Sequence, residues 1–408
     1  MFVSSPSALR GATLIDGRVV DIMIVDDIVV SVVPASASPV REGELDAHGY
    51  LVLTAPADPH THLDKALSWS LIRPPSGDLE TAIASWLDYV ATVDSEEIYG
   101  RAVRAIEEYV ANGVTALRTH VDVPHTGDPL RGVNAIVRAR EEFADIADIE
   151  IVALPGRETT RDRLEAALDA GADLVGGAPH LAEDETADVH RLIDVAEARG
   201  IGIDIHADEA LYRGTTLRTL AERTLRWSAT RTAGHCVRLS TLPDHELLPL
   251  MSNIAAAGIG VVANPITNLY LQGWESDVAT PRGIAPVNRL RAAGVLTAAG
   301  GDNVRDPFNP MGRADALETA MLLVTACHVP IDDAWAAVST DARRVMGLPA
   351  AGTEVGMRAD LIGIRAASLA DALATAPADR FVISRGRLVA RTRTTRWTAP
   401  RAIKEVAL

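Results

Sequence analysis

Short apolar runs alternate with helical periods through most of the chain, and the runs end repeatedly on histidine, proline, asparagine or aspartate. At the N-terminal end the runs Ala12–Ile15, Val19–Val25 and Ile28–Val33 are broken by Asp16-Gly17 and Asp26-Asp27, a pattern of hairpins. The signature returns near the other end, in Ala359–Ile364 and in Phe381–Ala390 around the turn pair Arg385-Gly386. Both ends therefore predict one small β-domain, residues 1–52 and 347–408, into which residues 53–346 are inserted as a second domain.

The central segment alternates strands with helices, which marks βα units and a parallel sheet. Strand ends fall near His62, His120, Pro155, Pro179, His206, His235, Asn264 and Asp302. From His120 to Asn264 the intervals are 35, 24, 27, 29 and 29 residues, each about one βα unit. Eight such units make a (β/α)₈ TIM barrel, so the expected fold class is α/β. The longer first interval holds an extra helix between Asp78 and Val93. The next helix carries a capping-box pattern, Asp94-x-x-Glu97, then Ile98, Ala102, Ala105 and Ile106 at helical spacing, and stops at Asn112-Gly113.

A barrel of this kind brings the C-terminal ends of all its strands to one face, where the chemistry sits. His60 and His62, at i and i+2 after the apolar run Leu51–Leu53 read as the strand, share one face and can both aim a nitrogen at one metal ion. His206 ends another run, with Glu209 three residues on; His235 ends a third; Asp302 follows Gly300-Gly301. Strand four, Asp173–His180, contains no lysine to bridge two metals, so the expectation is one divalent ion held by His60, His62, His206 and Asp302, with a position left for water. Imidazole and carboxylate donors suit zinc, iron or manganese. Glu209 is expected to carry the water's proton and Asp302 to orient the water as well as bind the ion. His235 either touches the metal or stands beside it to stabilise an oxyanion. The structural alternatives are a solvated loop carboxylate for Glu209, a helix N-cap for Asp302 and a core histidine for His235.

Composition narrows the partners. A formal charge of −16 disfavours nucleic acid and anionic membranes, and 48% apolar residues across 408 positions suffice for a large core. Two cysteines, Cys236 and Cys327, cannot form a disulfide framework and fit a reducing cytoplasm. The N-terminus has no leader pattern and no run reaches a membrane span. A small-molecule substrate is the expected partner.

Taken together, Asp58-Pro59-His60-Thr61-His62-Leu63-Asp64, Arg118-Thr119-His120-Val121-Asp122-Val123, Val175–His180, His206-Ala207-Asp208-Glu209, Ala263-Asn264-Pro265 with Leu271-Gln272-Gly273, and Gly301-Asp302-Asn303 through Asp306-Pro307 resemble the amidohydrolase superfamily and, within it, the cytosine deaminase-like family. The resemblance implies a mononuclear metal site and hydrolytic loss of ammonia from a heterocycle. A homo-oligomer is compatible with it. Three positions depart from the cytosine pattern: Gly156 stands where a glutamine grips the pyrimidine, Asn303 where a second aspartate lies beside the amino group, and Phe308 where tryptophan forms a wall. With Arg157, His120 and Trp274, they make up the expected substrate-binding set. The expected reaction is deamination of cytosine, isocytosine or a related aminopyrimidine or aminotriazine. Hydrolysis of a substituted amine or cyclic amide on the same centre is the alternative, and a non-catalytic interaction protein on an inherited barrel is a third class.

Overall fold

The strands form where β-branched and aliphatic residues run together, and turn residues separate them. A computed structural model describes residues 5–212, 214 and 216–398. Among these, the N-terminal runs become β1 (Ala8–Thr13), β2 (Val19–Val25), β3 (Ile28–Pro34), β4 (Glu44–Asp46) and β5 (Leu51–Thr54). Strands β6 (Ala57–Thr61), β7 (Ala116–Val123), β8 (Asp148–Pro155), β9 (Leu174–Val175), β10 (Ile203–Ala207), β11 (Arg231–His235), β12 (Gly260–Ala263) and β13 (Thr297–Ala299) follow. Near the C-terminus come β14 (Leu361–Ile364), β15 (Arg380–Ser384) and β16 (Arg387–Thr392).

Two sheets result. β6 to β13 pair in parallel and in chain order, and the pairing of Thr61 with Asp302 brings the first and last strands together, giving a (β/α)₈ barrel. The second sheet runs β16-β15-β14-β5-β1-β2-β3, with β4 beside β1, so both chain ends build it. One reading changes here. The run Leu51–Leu53 is not the strand that carries His60 and His62: it forms β5, which pairs with β14 in the small sheet across the expected limit at 52/53. A new barrel strand starts at Ala57 after the break at Ala55-Pro56. Periodicity cannot separate the two, since both are short, apolar and buried.

The extra helix occupies Leu79–Val90, with the Asp78 side chain accepting the Thr81 amide hydrogen at its N-terminus. In the next helix, Ser95–Ala111, Asp94 accepts from Glu97, but the Glu97 carboxylate turns to Arg101, so only half of the capping box forms. A layer of Ala57, Ala116, Val262, Ala298, Ala342, Val345 and Met346 fills the barrel floor. The small sheet is tied to that end by charge: Arg358 reaches Asp148 at 2.7 Å, Arg385 pairs with the same carboxylate, and buried Arg343 pairs with Asp360. No helix among the described residues is long and apolar enough to cross a membrane.

Candidate active site and metal centre

Four barrel strands deliver the polar cluster. His60 lies in β6 with His62 just past its end, His206 in β10, His235 at the end of β11 and Asp302 three residues beyond β13. The approach is tight enough to demand glycine. A Cβ on Gly300 would stand 2.9 Å from the His60 Cβ and carbonyl oxygen, one on Gly301 2.7 Å from Asp58 Oδ2, and one on Gly234 2.6 Å from His60 Cε1. Asp58 braces the arrangement, accepting backbone N–H groups from His60 at 3.2 Å and Gly301 at 2.9 Å. Asp208, His235, Cys236 and Asp302 all hold left-handed backbone, with φ of 51°, 68°, 51° and 54°. Such strain persists where surrounding contacts over-determine it, characteristically at functional sites.

The donor atoms converge. His206 Nε2 lies 3.3 Å from His60 Nε2 and 3.1 Å from His62 Nε2, and Asp302 Oδ1 lies 3.3 Å from His62 Nε2 and 3.7 Å from His60 Nε2. These separations match the edges, about 3.3 Å, of a tetrahedron of donors around a cation with bonds of ~2.0–2.1 Å. Both Asp302 oxygens are buried without a hydrogen-bond partner. Burial, and then the neighbouring imidazoles, hold His60 and His206 well below the ordinary histidine range, so both rings are neutral, the form that ligates. The residues therefore fit a cation.

Beside them stands an acid–base group. Burial, and then the Asp302 charge, push Glu209 well above the usual glutamate range. Its Oε1 is 3.2 Å from His235 Nδ1 and its Oε2 is 3.7 Å from His180 Nε2. Burial lowers both histidines to about 4. Asn268 Nδ2 donates to His235 Nδ1 at 3.1 Å, which leaves the proton on Nε2, 3.9 Å from Asp302 Oδ2. Gln272 fixes the loop by donating to the Glu209 carbonyl oxygen at 2.6 Å.

Comparison with known proteins agrees with this constellation. The profile described as Amidohydrolase family matches residues 86–390, and a pterin deaminase from Rhizobium rhizogenes (strain K84 / ATCC BAA-868) is 31% identical over 387 residues, covering 91% of this chain and 88% of the relative. The chain belongs to the amidohydrolase family. Among solved structures, 5-methylcytosine deaminase from Klebsiella pneumoniae superposes with a TM-score of 0.88 at 27% identity, covering 96% of this chain and 100% of that one. N-isopropylammelide isopropylaminohydrolase from Burkholderia multivorans gives 0.80 at 30% identity, covering 94% and 98%. The protein is a hydrolytic enzyme acting on carbon–nitrogen bonds, of a family that uses a divalent metal.

The amidohydrolase centre opens into a cavity of about 570 Å³, lined by His62, His206, Glu209, His235 and Asp302 at its base and by Leu79, Ile83, Leu87 and Val90 of the extra helix above. Of the expected substrate-binding set, Gly156, Arg157, Asn303 and Phe308 line it. His120 and Trp274 do not. His120 sits three residues inside the end of β7 rather than at its tip, fully buried beneath the histidines, its ring 4.1 Å from that of His60. Trp274 is 53% exposed, donates to the Tyr270 carbonyl oxygen and packs over Gly77, so it supports the loop before the lid helix instead of covering the pocket.

Residue patterns did not single out Lys65 as a cavity group, and they gave Trp86 as a packing group within a first-loop segment, Glu80 to Tyr89, that either lines the pocket or holds its loops. Lys65 and Trp86 line it, joined through Asp122, which accepts from Lys65 Nζ at 2.7 Å and from Trp86 Nε1 at 2.6 Å. A lysine three residues after the His-x-His run was the available signal; the tryptophan's bond to Asp122 had none, because its partner lies 36 positions away.

Proposed function

We propose that this amidohydrolase is a mononuclear, metal-dependent deaminase of a small N-heterocycle, releasing ammonia from an aminopyrimidine-type or aminotriazine-type ring. The carrying observation is the buried Glu209 set against His235 and the His60–His62–His206–Asp302 donor set. A divalent cation held there supplies the Lewis acidity that makes water nucleophilic near neutral pH. We assign zinc or iron, with manganese also compatible with these donors.

Within the pocket, Asp302 accepts a proton from the attacking water and Glu209 passes one to the ring nitrogen next to the amino-bearing carbon. That protonation makes the carbon more electrophilic, and a second transfer lets the nitrogen leave as ammonia. His235 Nε2–H faces the developing oxyanion. Asn303 gives one of its two amide hydrogens to Asp306, at 2.7 Å, and its side-chain carbonyl oxygen can accept from the substrate's amino group. In this respect Asn303 does the work of an aspartate.

The pocket admits rings other than, or in addition to, cytosine. A Cβ at Gly156 would meet only Thr159 Oγ1, at 3.8 Å, so the position leaves free space where a side chain would fit. Fused or substituted rings are consistent with that space and with the pterin deaminase relative. The apolar lid also accommodates an N-alkyl group, which keeps hydrolysis of a substituted amine as the second reading, in line with the isopropylaminohydrolase neighbour. Both cysteines are unpaired, which supports a cytoplasmic location.

The test is ammonia release by zinc-, iron- and manganese-loaded protein across cytosine, isocytosine, a pterin and aminotriazines, with metal content measured in parallel. Glu209-dependent ammonia from at least one ring is expected, with one ion per chain. An alkylamine or a ring-opened acid as the only product favours the second reading, and two ions per chain overturn the mononuclear centre.

A further inference from the structure

Lys65 is an unusual wall for a pocket of apolar character. It is 3% exposed, yet its ammonium borders the cavity within reach of the metal-binding histidines. Two carboxylates face its ammonium, Asp122 Oδ1 at 2.7 Å and Asp64 Oδ2 at 3.3 Å.

An ammonium carries three hydrogens, and their destinations can be followed. One goes to Asp122 Oδ1 at 2.7 Å, and a second makes a long contact, 3.3 Å, with Asp64 Oδ2. The third neighbour, His62 Nδ1 at 3.4 Å, is not an acceptor. That nitrogen lies 3.2 Å from the His120 carbonyl oxygen, which can only accept, so Nδ1 itself bears the hydrogen. The third ammonium hydrogen has no oxygen or nitrogen acceptor in the protein, the Trp86 ring centroid standing 5.4 Å from Nζ, and a ligand in the cavity can take it. On the opposite side, Gly156 leaves no side chain to grip a ring.

We propose that Lys65 is the specificity-determining residue of this site, donating a charge-assisted hydrogen bond to a ring carbonyl oxygen of the substrate. This rests on the deaminase reading, and it narrows the substrate to aminopyrimidine-type rings that also carry an oxo group, free or fused. Asp122 holds the ammonium in place, and Trp86 ties the lid helix to the same carboxylate, so the recognising group and the cavity roof share one anchor. Donation to an oxo group conjugated with the reacting carbon also withdraws electrons from it.

The test is calorimetric binding of pyrimidin-4-one, which has the oxo group and nothing to hydrolyse off as ammonia, and of unsubstituted pyrimidine, to the zinc-loaded protein and its K65M variant. Wild type is expected to prefer pyrimidin-4-one, and K65M to lose about tenfold or more of that affinity while pyrimidine binding stays within about twofold. Equal losses for both rings, or no loss, overturn the proposal. Should K65M not fold, wild type decides alone: equal affinity for the two rings overturns it. Lys65-dependent ring binding without ammonia from any amino-substituted ring would sink the deaminase reading and leave the Lys65 contact standing. Ammonia release with a ring preference indifferent to Lys65 does the reverse.

Discussion

Glu209 is the residue whose chemistry depends most on its surroundings. A solvated loop would leave it an ordinary glutamate; burial, and then the Asp302 charge, push its pKa well above that range, with His180 and His235 beside it. E209Q is expected to lower kcat about 10³-fold while the metal content stays at one ion per chain, measured by ammonia assay and elemental analysis. Retained turnover would remove Glu209 from the proton path. Asp58 makes no contact of its own with substrate, but it ties the β6 and β13 ends together through the His60 and Gly301 amides. D58N replaces one acceptor oxygen by an NH₂ group against those amides, and metal affinity measured by chelator competition is expected to fall about 10-fold or more. Residue types and spacing made the four proposed ligands and Glu209 legible: His206 and Asp302 sit at or just past the end of an apolar run, Glu209 follows His206, and His60 and His62 share one strand face. They could not reveal Asp58 as a brace, since its partner is 243 positions distant.

At the level of elements, the lid helix Leu79–Val90 is amphipathic with a capped start, so its existence followed from pattern. Its position did not. One indole hydrogen bond to Asp122 and a row of aliphatic contacts hold it over the cavity. W86F keeps the packing and deletes that bond, so KM is expected to rise about fivefold with kcat nearly unchanged, as steady-state kinetics on the active ring would show. An unchanged KM would mean that the lid is held by packing alone. The strand Leu51–Leu53 illustrates the converse: its apolar character was correctly seen, but whether such a strand enters the barrel or the small sheet is decided by which edge it meets, and β14 from the far end of the chain supplies that edge. His120 is a related case. Its strand runs three residues past it, so a ligand-type residue ends up below the site rather than in it.

For the whole molecule, the tie between the small sheet and the barrel rests on Asp148 with Arg358 and Arg385. Burial would raise the Asp148 carboxyl, but hydrogen bonding and charge from the two arginines bring it below its ordinary 3.8. A carboxylate depressed on folding contributes stability above its unfolded pKa and loses it as pH falls through the folded one. The stability advantage of wild type over D148N, read from urea midpoints, is therefore expected to be full at about pH 6 and to shrink below about pH 4. A difference independent of pH would show that the ion pairs contribute nothing. By itself the sequence determined the two-sheet plan and singled out the proposed ligands and acid–base carboxylate, because strand-end histidines and an aspartate after two glycines are local patterns with local causes. Tertiary structure alone decided what the pocket walls are made of, the pairing of Lys65 with Asp122, the bond from Asn303 to Asp306 and the retreat of His120 and Trp274 from the cavity. Those depend on which distant groups meet, and on which lone pairs and hydrogens are left once they have met.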